Sequence, residues 1–213
     1  MRTTLRSPAG ALLAATSAPR RPAGVAIVLH GGDETRSARC RWWYPAVLRC
    51  RLLAWDLALR WRRRPIAVYR LQHVRTGWQG DGASQLADLD WALAEVDRVA
   101  PVVPVVLVGH SMGGRTAAQR AGRPRVTGVV GLAPWLPDKD PVDQLDGRLV
   151  DVVAGTRDSS VPPTGVFIDR AERAGAVVGR YSIAGGGHMM VRHIARWQRT
   201  AARLAEAQLT VAT

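Results

Sequence analysis

Residues 105–114 read Val105-Val106-Leu107-Val108-Gly109-His110-Ser111-Met112-Gly113-Gly114. Four β-favouring apolar residues run straight into a serine with glycine two places before and two places after it. Helical spacing then continues from Met112 to Ala121. The combination reads as strand, tight turn and helix, with the serine at the turn. In such a turn the residues flanking the serine at ±2 approach each other, which leaves room only for glycine. The chain has eight serines and 21 glycines, so this spacing alone arises by chance in roughly one such chain in ten. Its meaning depends on what surrounds it.

Outward from Ser111 the same alternation repeats. Short β-branched runs stand at Val25–Leu29, Ile66–Leu71, Val105–Val108, Val126–Leu132, Leu149–Ala154 and Val177–Ile183. Stretches with helical spacing separate them, near Pro45–Arg63, Ala83–Val99, Met112–Ala121, Pro163–Ala174 and Met189–Leu209. The apolar runs are continuous rather than alternating, as strands buried on both faces require. The reading is α/β: one domain over residues 1–213 with an open, doubly wound, mostly parallel sheet flanked by helices. Thr3–Arg6 and Ala11–Ala15, turning at Pro8-Ala9-Gly10, are expected to form an N-terminal β-ribbon within residues 1–24. The competing reading of this start, a secretory leader, has an apolar middle that is too short and interrupted. A cytoplasmic protein is the expectation.

Composition excludes more than it suggests. A hydrophobic share of 47% fits a globular core, and no apolar run is long enough to span a bilayer. The net charge of +13 is almost wholly arginine, with Lys139 the only lysine. Arginine is densest from Arg36 to Arg75, with Trp42, Trp43, Trp55 and Trp61 interleaved. This reads as a helix with an apolar core face and an arginine-rich wet face, so no nucleic acid is expected as a partner. Cys40 and Cys50 lack metal-ligand spacing and are expected as buried thiols, because a helix through Ala46–Leu59 keeps them apart. No metal site is expected.

A serine hydroxyl needs a base, and the base needs an orienting acid. Following this turn the chain order is serine, acid, histidine. Of five histidines only His188 and His193 come after Ser111. His188 follows a predicted strand through Gly185-Gly186-Gly187, whereas His193 falls inside the last predicted helix, so His188 is the expected base. Asp158 follows the strand Leu149–Ala154 and is the expected acid. Asp138, Asp140 and Asp143 lie in a polar connection, Asp151 is at the wrong end of its strand, and Asp169 is within a helix. Two backbone donors are needed for an oxyanion: the Met112 N–H, and the N–H of Gly32 or Asp33 in the loop after the first core strand.

Taken together, Gly109–Gly114, His30-Gly31-Gly32, the loop from Gly155 through Asp158 to Val161-Pro162, and Gly187-His188 resemble the α/β-hydrolase superfamily. They stand in that family's order, and the likeness is to its esterase, lipase and dienelactone-hydrolase-like branches. The resemblance implies a Ser111–His188–Asp158 triad, an acyl-enzyme and no cofactor, acting on a small-molecule acyl substrate. Thioester or amide hydrolysis, acyl transfer and perhydrolysis use the same residues, and a non-catalytic binding scaffold is the alternative outside enzymes. Only about a dozen residues connect Trp135 to Gly147, where many members insert a helical cap, so no sizeable cap is expected. Trp135 and Trp78 are the residues expected to line an acyl pocket.

Overall fold

The computed structural model describes residues 4–33 and 37–210; Thr3 and Arg36, named above, lie outside them. The chain runs β1 (Thr4–Arg6), β2 (Leu12–Ser17), β3 (Gly24–Leu29), α1 (Pro45–Arg60), β4 (Ile66–Gln72), α2 (Ala83–Val99), β5 (Val105–His110), α3 (Met112–Gln119), β6 (Val126–Leu132), β7 (Leu149–Gly155), α4 (Gly165–Arg173), β8 (Val177–Ile183) and α5 (Ile194–Thr210). Eight strands form one sheet in the order β1-β2-β4-β3-β5-β6-β7-β8. From β4 to β8 every neighbouring pair is parallel. At the other edge β1 pairs antiparallel with β2, and β2 with β4.

At the centre of the sheet the continuous apolar runs have the burial they imply, whereas in the edge strand β8 only Ile183 is buried. Every residue of β3 and of β5 is buried, because helices cover both faces there. On one face α1 and α5 pack Leu53, Leu57, Trp197, Leu204 and Leu209 onto Val28, Val108 and Val130. On the other, α2, α3 and α4 contribute Leu89, Val96, Ala117 and Phe167 to a second core around Ile27 and Leu107. Between β6 and β7 stands only a short 3-10 turn, Asp143–Leu145. Cys40 and Cys50 are both free and buried, and burial raises each thiol to about 12.

After β3 the chain turns one way to build β4, then crosses back to lay β5 on the other side of β3. That reversal opens a crevice beyond the carboxyl ends of β3 and β5, the place where doubly wound sheets bind ligands. Leu29 and His110 end those two strands.

Two expectations need correction. The last helix begins at Ile194, not near Met189. Met190 and His193 both have positive φ, 56° and 58°, a conformation that breaks a helix of L-residues. The wet face of α1 is also not simply arginine-rich. Leu48, Leu52, Trp55 and Leu59 are exposed on it, while Arg49 is buried and donates to the Met190 carbonyl at 3.4 Å.

Candidate active site

Ser111 occupies the turn between β5 and α3 with φ 52° and ψ −120°. A non-glycine residue is strained there, and the surrounding backbone must hold it. Its N–H donates to Leu132 O at 3.1 Å, and its carbonyl accepts from Gly114 N at 2.9 Å. A Cβ on Gly109 would overlap the Gly113 carbonyl, and one on Gly113 would press on Leu29 O. Those two glycines allow the helix to start against the strand. The Met112 N–H lies at the N-terminal end of α3, where the helix dipole favours negative charge.

The loops after β7 and β8 bring the other two side chains to the serine. His188 Nε2 is 3.0 Å from Ser111 Oγ, and His188 Nδ1 is 2.9 Å from Asp158 Oδ2. The other carboxylate oxygen of Asp158 accepts Ser160 N–H at 2.9 Å. Because a carboxylate accepts, Nδ1 carries the proton and Nε2 presents its lone pair to the hydroxyl. The two loops are tied together: Arg157 N donates to Gly186 O, Thr156 N to Ile183 O, and Gly185 N to Thr156 Oγ1. His193 is exposed just before α5, against Gly185. Of the two later histidines, His188 is the one joined to Ser111.

On the facing side, the Gly31-Gly32 loop presses against the serine turn. A Cβ on Gly31 would sit 3.1 Å from Ser111 Cβ, and one on Gly32 would meet Met112 Sδ and the Thr76 carbonyl. Of the two second donors expected from sequence, the Asp33 N–H is engaged by Thr76 O at 2.8 Å. The Gly32 N–H is therefore the better candidate.

Three residues of this neighbourhood escape the sequence reading. His110 Nε2 donates to the His188 carbonyl at 2.9 Å, which ties the end of β5 to the loop that carries His188. Burial, reinforced by the neighbouring His188, lowers the His110 pKa to about 4 and keeps it neutral. His30 Nε2 accepts the His73 backbone N–H at 3.0 Å, so its proton is on Nδ1, which donates to Gly31 O at 2.6 Å. In a trans peptide the carbonyl and the following N–H point in opposite directions. A hydrogen bond to Gly31 O thus fixes the plane that carries the Gly32 N–H. Burial and the adjacent His73 lower His30 to about 3. Tyr44, directly before α1, is the third, and it lines the cleft with Ser111 and His188. The sequence shows the positions of two of them, His30 before Gly31 and His110 before Ser111, but not the bonds they make.

The cleft has a volume of about 270 Å³ and is walled by Trp135, Val161 and Pro162. Trp78 does not line this cleft. It packs edge-on to Trp135, and the Arg115 guanidinium lies 4.1 Å from the Trp78 ring and 4.3 Å from the Trp135 ring. Asp140, expected in a polar connection, is buried and holds Arg115 with bonds of 2.5 and 2.6 Å. Behind the cleft wall lies a structural ion pair. Among the described residues no group of three or more histidine, cysteine or acidic side chains is placed to hold a metal ion.

No protein-family model and no curated protein matches the chain, but solved structures do. XC6422 from Xanthomonas campestris, a serine hydrolase of the α/β type without a lid, superposes with a TM-score of 0.70 at 19% identity, over 98% of this chain and 94% of that one. An α/β serine hydrolase homologue from Coxiella burnetii gives 0.70 at 16%, over 95% and 96%. Est1E from Butyrivibrio proteoclasticus, with ferulic acid bound, gives 0.68 at 13%, over 98% and 99%. Sheet order, crossover and these likenesses agree, and the chain has the α/β-hydrolase fold in a form without an inserted helical cap among its described residues.

Proposed function

We propose that this protein is a serine hydrolase that cleaves carboxylic esters through an acyl-enzyme on Ser111. The observation that carries the proposal is the unbroken chain from Ser111 Oγ through His188 to Asp158, with bonds of 3.0 and 2.9 Å. As Oγ attacks the ester carbonyl carbon, His188 Nε2 takes the hydroxyl proton, and Asp158 stabilises the imidazolium through Nδ1–H. The carbonyl oxygen becomes an oxyanion facing the N–H groups of Met112 and Gly32, each contributing about 3–4 kcal/mol of transition-state stabilisation. Collapse expels the alkoxide, which receives the proton from Nε2. Water then repeats the sequence on the acyl-enzyme, with His188 as base, and releases the acid.

A cleft of about 270 Å³ is at the small end of ligand sites. With no cap over it, it suits compact acyl groups on varied alcohols. The test is hydrolysis of p-nitrophenyl esters from acetate to palmitate. The expected result is highest kcat/KM on short chains and no turnover above background with Ser111→Ala. Turnover that survives this substitution in a folded protein would refute the assignment.

A further inference from the structure

We propose that the face formed by α1 and α5 docks onto an anionic lipid surface. Along α1, Leu48, Leu52, Trp55 and Leu59 recur at intervals of four, three and four residues and are all exposed, Leu59 by 62%. That spacing places them on one stripe about 17 Å long, at about 1.5 Å per residue. Trp42 and Trp43 continue the apolar surface beyond the start of the helix, 60% and 55% exposed.

Beside this stripe lies a row of positive charge. Arg196, Arg199 and Arg203 recur along α5 and are exposed, and α5 packs beside α1 on the same sheet face. A concavity of about 610 Å³ lies between the two helices and is bordered by Arg60, Arg64, Arg199 and Arg203. The carboxylates of these helices are already paired, Asp56 with Arg60 and Glu206 with Arg64. Arg51 lies over the Trp55 ring at 5.9 Å and Arg41 over Trp43 at 5.7 Å.

A helix face of leucine and tryptophan bordered by arginine matches the boundary between headgroups and acyl chains, with indoles at headgroup level and guanidinium groups on phosphates. A second copy is a poor occupant, because pairing these faces would set arginine against arginine. Nucleic acid would satisfy the arginines but gains nothing from three exposed leucines.

The experiment is co-sedimentation of the full chain, and of its Ser111→Ala variant, with phosphatidylcholine vesicles and with vesicles containing about a third phosphatidylglycerol. Tryptophan emission is followed in parallel. Both proteins are expected to bind the anionic vesicles with a blue-shifted emission, independently of catalysis. Arg199→Ala with Arg203→Ala should weaken binding roughly fivefold per residue. Leu52→Glu with Leu59→Glu should abolish the blue shift. Both double variants should keep native melting curves and full hydrolysis of soluble p-nitrophenyl acetate. Four results would overturn the proposal: no sedimentation of folded native protein; a blue shift that survives the leucine changes; a dimer in light scattering that those changes dissociate; or oligonucleotide binding that matches vesicle binding and ignores the leucines.

Discussion

Among the described residues two aspartate–histidine pairs have the same composition, and their surroundings differ. In one, Asp158 Oδ2 lies 2.9 Å from His188 Nδ1, the imidazole is at the rim of the cleft, and its far nitrogen faces Ser111. In the other, Asp88 Oδ2 lies 3.3 Å from His73 Nδ1 and also accepts the Val74 N–H at 2.9 Å. There both side chains are buried, and His73 Nε2 has no partner among the described residues. An acid–histidine pair alone does not make a base for catalysis. It needs a nucleophile on the far nitrogen and a path for substrate, and of these two pairs only the first has a hydroxyl on its far nitrogen and an open cleft beside it. The second, whose His73 backbone N–H also holds His30, secures the loop opposite the serine.

The comparison is broken most severely at the first pair. Ser111→Ala or His188→Ala should lower kcat by about 10⁶-fold, and Asp158→Asn by about 10⁴-fold, with native melting curves. At the second pair the balance should reverse. Asp88→Ala strips acceptors from His73 and Val74 and should cost about 2–5 kcal/mol of stability, read from the denaturant midpoint. Its effect on kcat at a temperature where it stays folded should be far smaller than that of Asp158→Asn.

His110 tests the coupling between β5 and the proposed base His188. His110→Phe keeps the ring but loses the bond to the His188 carbonyl, and should lower kcat about tenfold with little change in KM, as the loss of one positioning contact does. A smaller, pH-dependent effect sharpens the contrast between buried and rim histidines. His110 and His30 titrate near 4 and 3 when folded and near 6.5 when unfolded. Between those values the unfolded chain binds more protons, so their stabilisation is complete above about pH 6.5 and declines as pH falls toward 4 and 3. Each contributes a slope of up to about 1.4 kcal/mol per pH unit. Chemical denaturation at stepped pH should show the loss, and His110→Phe should flatten part of it.

The runs Val25–Leu29 and Val105–Val108 were legible because strands buried on both faces leave nothing but apolar residues to read. That Ser111 and His188 meet was legible because glycine spacing and chain order constrain them. The start of α5 was not, since the positive φ of Met190 and His193 is imposed by tertiary packing rather than by residue type. Apolar residues surround most of α1, so its sequence did not show which face would be wet. Tyr44 and Trp78 differ only in what the chain brings next to them. Tyr44 comes from far along the sequence to line the same cleft as Ser111, whereas Trp78 ends behind Trp135, against Arg115. His110 and His30 look like neighbours of a motif, and their roles rest on carbonyls 78 residues away and one residue away.

The most direct test of an activated Ser111 is labelling with a fluorophosphonate followed by peptide mass spectrometry. The expected result is a single adduct on Ser111 that forms within minutes, is lost in Ser111→Ala and is strongly slowed in His188→Ala. A folded, unlabelled protein, or an adduct on any other residue, would contradict it.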